Sequence, residues 1–146
     1  MGCCFCLSPN IEELRKDPSI QSCIKTTRFA QVTYYKSMPN VALKKIVNVY
    51  SGDIVYIQEN NLVHISCCSC CTSRFPIKNI IKYDIVKNQS VVLFRTEAMY
   101  VDNGVAITFQ ETDDRFSLVV FSSPVIEEFV SHLSQNAPPQ QTFEYY

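Results

Sequence analysis

The chain has 146 residues, a formal net charge of −1 and hydrophobic residues at 47% of its positions. This length suits one domain with tails, and the scattered Lys and Arg residues disfavour nucleic acid as a partner, because a phosphate-binding surface needs clustered basic side chains. There is no run of about 18 apolar residues, so no transmembrane helix is predicted. The start also lacks the positive region and long apolar stretch of a secretory signal.

The first six residues form a candidate acylation signal. Removal of Met1 would expose the amine of Gly2 for a myristoyl chain, and thiols follow at Cys3, Cys4 and Cys6. One myristoyl chain holds a protein on a bilayer weakly, whereas a second acyl chain makes attachment stable. Cys6 stands where the usual acceptor pattern has Ser or Thr. The alternatives are an unmodified cysteine-rich start or a set of metal ligands.

Along the chain, residues 1–25 are predicted to be an anchor and spacer with one helical turn between Ile11 and Lys16. A domain of short strands follows, because runs of β-branched and aromatic residues alternate with turn signals. The predicted strands cover residues 29–36, 41–50, 54–57, 62–66, 75–77, 80–86, 91–95, 99–101, 105–110 and 116–121. Residues 87–90 are predicted to be a turn. Asp102-Asn103-Gly104 is the strongest hairpin signal, because Asn-Gly suits a type I′ turn.

The period of the apolar residues changes after Ser123. Ser123 is the predicted N-cap of a helix with Pro124 at its first position. Its apolar stripe recurs at three- and four-residue spacing and consists of Val125, Ile126, Phe129, Val130 and Leu133. The domain is predicted to span residues 26–135, and the Pro/Gln-rich residues 136–146 are predicted to be a disordered tail. Within the tail, Tyr145 follows an acidic residue and is a candidate phosphorylation site.

Many short antiparallel strands followed by one amphipathic helix resemble the pleckstrin-homology-like (PH-like) superfold, which includes PH, PTB and GRAM-type domains. The segment from Phe75 to Ile80, with its apolar-Pro-Ile-x-x-Ile rhythm, is similar to a mid-sheet strand of that superfold. The resemblance implies a mainly β fold, a partly open antiparallel barrel capped by the C-terminal helix. The Gly-Cys start resembles those of Src-type kinases and G-protein alpha subunits, which implies location at the cytoplasmic face of the plasma or an internal membrane.

A second group of thiols lies at Cys67, Cys68, Cys70 and Cys71, with His64 three residues upstream. Adjacent cysteines close almost no loop when joined, so a disulfide framework is not expected. The C-x-x-C spacing suits zinc, although a second distant pair of ligands is lacking. The segment also resembles the palmitoylated tracts of phospholipid scramblases, which implies further acylation. In a third interpretation, alternate thiols pack into the core as small apolar groups.

Direct lipid binding and catalysis are the remaining alternatives. The basic hairpin pattern of phosphoinositide-binding PH domains is absent, but a weak basic face for lipid headgroups could come from Lys44, Lys45, Arg74, Lys78 and Lys82. The two histidines, His64 and His132, are the only general bases that titrate near neutral pH. No phosphate-binding glycine loop or nucleophile motif accompanies them. The sequence therefore predicts no enzyme.

Together these patterns predict a non-enzymatic, membrane-anchored adaptor that presents a PH-like domain to a protein or peptide partner. No cofactor is expected. The alternatives are a lipid- or phosphoinositide-interacting domain and a zinc protein built on the cysteine cluster.

Overall fold

The computed structural model describes residues 10–38, 40–48, 53–66 and 72–138. In these residues the chain is mainly β, with a long C-terminal helix, as predicted. The elements in chain order are α1 (Ile11–Arg15), β1 (Ile20–Lys25), β2 (Arg28–Tyr35), β3 (Ala42–Asn48), β4 (Ile54–Gln58), β5 (Asn61–Ile65), β6 (Thr72–Pro76), a 3-10 turn (Ile77–Asn79), β7 (Ile80–Phe94), β8 (Glu97–Gln110), β9 (Arg115–Ser122) and α2 (Ile126–Asn136).

The strands form two antiparallel sheets. One sheet has the order β1-β4-β5-β6 and the other has the order β3-β2-β9-β8-β7. No described strand belongs to both sheets, so the sheets do not close into the barrel that the sequence suggested. They face one another across a shared core.

The main core lies between the two sheets and α2. Its residues come from both sheets and from one face of the helix, and include Val55, Leu62, Ile107, Phe121 and Phe129. Phe129 is fully buried, and its ring meets that of Phe121 edge-on with centroids 5.2 Å apart, a favoured aromatic geometry. The three- and four-residue spacing of the apolar residues therefore places α2 against the core, as predicted.

The start of α2 differs from the prediction. The helix begins at Ile126, and Ser123 and Pro124 precede it instead of capping it. The backbone N–H of Ser123 donates to the carbonyl oxygen of Asn103 (N···O 2.9 Å), which holds Ser123 to β8. The side chain of Ser123 only accepts a long bond from the N–H of Val125 (3.4 Å).

The folded part of the chain begins before residue 26. α1 is capped by Asn10, whose side chain accepts a hydrogen bond from the N–H of Glu12 (3.0 Å), a favourable cap. β1 pairs with β4 in the four-stranded sheet. On the outer face of that sheet Ile11 and Leu14 of α1 pack against a cluster made of Cys23, Ile54, Tyr56 and Val63. Residues 11–25, expected to be a spacer, therefore belong to the folded body.

β7 and β8 form one long hairpin, so both predicted turns are wrong. The strand pairing runs unbroken through them, and Lys87 lies opposite Asn103. The chain reverses instead at Arg95-Thr96, where Arg95 has φ of 56°. The two predicted turns lie across from each other and mark a bend in the hairpin, consisting of Asn88 and residues 102–104.

The sequence of the bend is explained by two backbone requirements. Asn88 has a φ of 51°, a left-handed conformation that Asn tolerates better than most residues. At Gly104 a Cβ atom would lie 2.3 Å from the carbonyl oxygen of Phe121. The glycine is therefore needed for the close approach of β9, and not for a type I′ turn.

Beyond the bend, residues 89–101 form an arm that folds over the outer face of the five-stranded sheet. On the side of the bend that belongs to the sheet, Val105 and Ile107 of β8 face the main core. On the arm side of the bend, Met99 and Val101 lie over the opposite face of the sheet. There they pack with Val32 and other residues of a second core. The members of the second core are Ala30, Val32, Val86, Leu93, Met99, Val101 and Val120.

Candidate functional site

His64 is a buried structural residue. Its Nε2 atom lies 2.7 Å from Oδ2 of Asp53, and its ring stacks on that of Phe29 with centroids 3.7 Å apart and an interplanar angle of 4°. Burial lowers the pKa of His64, and the interaction with Asp53 opposes this only in part. The imidazole is therefore neutral near pH 7, with its Nε2–H donating to the Asp53 carboxylate.

His64 is also the residue that was predicted to join the cysteine cluster in a metal site. Its Nε2 atom is hydrogen-bonded to Asp53, and the residue is 7% exposed. Among the residues that the structure describes, no three His, Cys, Asp or Glu side chains are grouped to hold a metal ion. The proposed partners of His64 at Cys67, Cys68, Cys70 and Cys71 lie outside the described residues.

His132 links α2 to the four-stranded sheet. Its Nδ1 atom contacts the hydroxyl of Ser22 on β1. Ser22 has a φ of 52°, and the pairing of β1 with β4 is irregular between Gln21 and Ile24. This bulge turns the Ser22 hydroxyl toward the helix, so His132 connects the two elements.

Cys23 is the one cysteine within the described part of the chain. It is 7% exposed, and burial raises the pKa of its thiol to about 11, with the charge of Arg15 acting weakly in the other direction. A thiol with this pKa is a poor nucleophile at neutral pH. The candidate lipidation sites Gly2, Cys3, Cys4 and Cys6, and the candidate phosphorylation site Tyr145, lie outside the described residues.

The connection between β5 and β6 has a defined starting point although its cysteines are not described. Ile65 pairs with Thr72, and Ile54 pairs with both Ile65 and Lys25. These pairs form the last row at one end of the four-stranded sheet. Ser66 and Thr72, the described residues on either side of the cysteines, therefore lie at the end of the sheet where β1 finishes.

The five candidate lipid-binding cations do not form one group. Lys44 and Lys45 lie on β3 of the five-stranded sheet, whereas Arg74 lies on β6 of the other sheet. Lys45 pairs with Glu97, and Lys82 lies 3.5 Å from Asp84. Lys78 is exposed on the 3-10 turn.

The edge of β7 next to α2 is a site that sequence analysis did not single out. Among the described strands, β7 pairs only with β8 and ends the five-stranded sheet. Ile85 lies opposite Val105, a member of the main core, so its side chain is on the face that α2 covers. It is nevertheless 49% exposed, and Val125, just before α2, is 47% exposed.

The ends of the two sheets differ in their suitability for an added strand. β1 is bulged at Ser22, and β6 is short and contains Pro76; bulges and prolines both hinder edge pairing. β7 keeps an unshifted register with β8 from Lys82 to Lys87, before the bend at Asn88, and Lys87 forms an ion pair with Glu127 of α2 (3.4 Å). This ion pair places the first turn of α2 beside the edge of β7.

A sequence signal for this edge was available but ambiguous. The run from Ile80 to Val86 was correctly predicted to be a strand, and the helix was correctly predicted to cover the sheet. Neither pattern tells which strand lies at the border, because strand order depends on pairing between distant segments.

No helix in the described ranges is both long and apolar enough to cross a bilayer. Comparisons of the chain with protein-family models, with curated proteins and with solved structures found no match.

Proposed function

We propose that this chain is a non-enzymatic adaptor, tethered to the cytoplasmic face of a membrane by acyl chains, whose PH-like body binds an extended peptide of a protein partner. Two antiparallel sheets on one core, completed by a C-terminal helix, support the PH-like assignment. The structural roles of His64 and His132 support a function in binding and not in catalysis.

The observation that carries the proposal is the edge of β7 beside α2. An extended peptide adds to such an edge through backbone hydrogen bonds, while pockets for alternate side chains give specificity. Ile85 and Val125 are apolar and about half exposed there. They offer two apolar contacts to the side chains of a peptide that pairs with β7.

The tether is proposed from the first six residues. A myristoyl chain on Gly2 together with acylation of Cys3, Cys4 or Cys6 would provide the two signals that stable anchoring needs. Acylation of Cys67, Cys68, Cys70 or Cys71 would add a second attachment at the end of the four-stranded sheet. That arrangement would hold this sheet toward the bilayer.

The peptide site is tested with a displayed library of random peptides selected against the recombinant full-length chain. We expect selected peptides to shift the NMR amide signals of residues 82–87 and of the first turn of α2, with affinity in the micromolar range typical of weak motif binding, about −8 kcal/mol. Ile85→Lys should abolish this binding.

Val92→Lys is the matched control. Val92 is 64% exposed and lies on the arm, so the same charge is added to an exposed strand residue away from α2. Peptides that instead pair with β3 or β6, or a library that yields no binder, would overturn the assignment of the β7 edge.

The tether is tested in eukaryotic cells by intact mass measurement and membrane fractionation. Gly2→Ala should release the protein into the soluble fraction, and replacing Cys67, Cys68, Cys70 and Cys71 by serine should remove any acyl mass at that loop. Cys23→Ser is the control, because Cys23 is buried and should not affect residence. An unmodified protein that still floats with anionic vesicles would point to direct lipid recognition instead.

A further inference from the structure

The bend of the long hairpin also holds the start of α2. On one strand of the bend, Lys87 forms an ion pair with Glu127 in the first turn of the helix (3.4 Å). On the other strand, Asn103 exchanges two hydrogen bonds with Ser123: its carbonyl oxygen accepts from the Ser123 N–H (2.9 Å), and its Nδ2 donates to the Ser123 carbonyl oxygen (3.2 Å). α2 therefore contacts both strands of the bend, through an exposed ion pair with Lys87 and two hydrogen bonds between Asn103 and Ser123.

The electrostatics of Glu127 agree with this attachment. Hydrogen bonds lower the pKa of Glu127, first from its own backbone N–H and then from the side chains of Asn103 and Lys87. The ionised carboxylate at the start of the helix also interacts favourably with the helix dipole. Glu127 thus connects the helix to both strands of the hairpin.

The arm is held at its far end by contacts that are separate from the bend. Nη2 of Arg95 donates to the carbonyl oxygen of Asn40 (2.7 Å), and Glu97 forms an ion pair with Lys45 on β3. Both contacts involve exposed or partly exposed side chains at the surface, where a single ion pair contributes little. The tip can therefore be released by removing two side chains.

Beneath the arm, a limited apolar surface keeps it in place. Leu93 and Met99 are 7% and 5% exposed and are the largest buried side chains that the arm contributes to the second core. Segments with few buried apolar contacts open at lower free energy than the core of a protein. The arm meets this description, whereas the main core does not.

We infer that the arm is a movable cover and that its opening is transmitted through the bend to the first turn of α2 and the adjoining edge of β7. When the arm lifts, Asn88 and residues 102–104 must change conformation, because they connect it to the sheet. Gly104 is in tight contact with the backbone of Phe121, so a change there displaces Asn103 and with it the anchor of Ser123. The link to peptide binding rests on the proposed β7 site, but the coupling itself does not.

Hydrogen exchange of the full-length chain, followed by mass spectrometry, tests the coupling without a ligand. The variant Arg95→Ala with Lys45→Ala removes the tip contacts and leaves the bend intact. We expect faster exchange in the arm. In residues 129–133, whose amides donate to carbonyl oxygens at the start of the helix, exchange should be at least about five-fold faster, the lower end of typical coupling effects. Exchange in β4 and β5 should stay unchanged.

Arg115→Ala is the matched control. It removes another surface ion pair, between Arg115 and Glu111 (3.0 Å), at the end of β9 that is far from α2. Faster exchange in the arm alone, with residues 129–133 unchanged, would overturn the inference. If the double variant leaves the arm closed, adding Leu93→Ala removes one of its buried contacts with the second core. If all amides keep their protection in this triple variant, the arm is not a movable cover.

The reverse direction gives a second and independent result, because coupling between two sites is reciprocal. Glu127→Gln removes the charge that pairs with Lys87 and should speed exchange in the arm as well as in α2. Glu128→Gln, a neighbouring exposed residue, should affect neither. An effect of Glu127→Gln that is confined to the helix would contradict the inference.

Discussion

The two faces of the five-stranded sheet are buried in different ways. One face is covered by distant parts of the chain, namely the four-stranded sheet and α2, which contribute Leu62, Phe75 and Phe129 to the main core. The other face is covered by the sheet's own two strands, which bend and return across it as the arm. The first cover requires the four-stranded sheet and α2, whereas the second is formed by strands of the five-stranded sheet alone. The two cores are therefore expected to differ in how strongly they depend on global folding.

The largest expected effect is the removal of a ring from the main core. Phe129→Ala should lower the free energy of unfolding by about 3–5 kcal/mol, because it removes a fully buried aromatic side chain and leaves a cavity. Urea unfolding followed by circular dichroism measures this loss. Val125→Ala, at the exposed residue just before the helix, should change stability by less than about 0.5 kcal/mol. Equal effects of the two substitutions would contradict the packing of α2.

A smaller effect is expected in the second core. Leu93→Ala should cost about 2–3 kcal/mol, at the lower end for a buried leucine, because the arm can shift to fill part of the cavity. Near-ultraviolet circular dichroism and hydrogen exchange should locate the change in the arm. A loss as large as that of Phe129→Ala, with exchange rising evenly over the whole protein, would show that the two cores form one cooperative unit.

The smallest expected effect concerns pH and the main core alone. Since burial lowers the pKa of His64, the native protein binds fewer protons than the unfolded chain just below pH 6.5. Stability should therefore fall as the pH decreases through this range. Urea midpoints measured between pH 7.5 and pH 5 should show this slope.

His64→Gln is the comparison for the pH experiment. Glutamine keeps a donor for Asp53 but does not titrate, so the slope between pH 7.5 and pH 5 should become flatter. Asp17 and Asp114, whose pKa values are lowered by hydrogen bonds from Ser19 and Ser37 respectively, contribute at more acidic pH. An unchanged slope in the variant would show that His64 is not the group responsible.

Local patterns predicted most of the strands and the final helix correctly. The apolar residues of α2 recur at helical spacing, and the runs around Val32, Tyr56 and Val119 are rich in β-branched and aromatic residues, so local propensity and burial agree there. The predicted break between the strands at 54–57 and 62–66 is also correct, and Asn60 there has a positive φ of 60°, which asparagine tolerates.

The errors occurred where distant pairing decided the structure. Asn103-Gly104 has the composition of a hairpin turn, but in the fold Gly104 provides space for the backbone of Phe121, and this contact cannot be inferred from neighbouring residues. Neighbouring residues also do not show that Lys44 and Lys45 belong to one sheet and Arg74 to the other. The partner of His64, Asp53, could likewise be identified only from the fold.

The double covering of the five-stranded sheet limits the directions from which another molecule can approach it. With both broad sides of β2 and β9 occupied by the chain itself, a recognition event that uses this sheet has to proceed in its plane, along a border strand. A partner that approaches in this way forms hydrogen bonds with the backbone of the border strand, and its side-chain contacts are secondary. This sheet would therefore favour partners with a segment that can adopt an extended conformation over partners that offer a preformed globular surface.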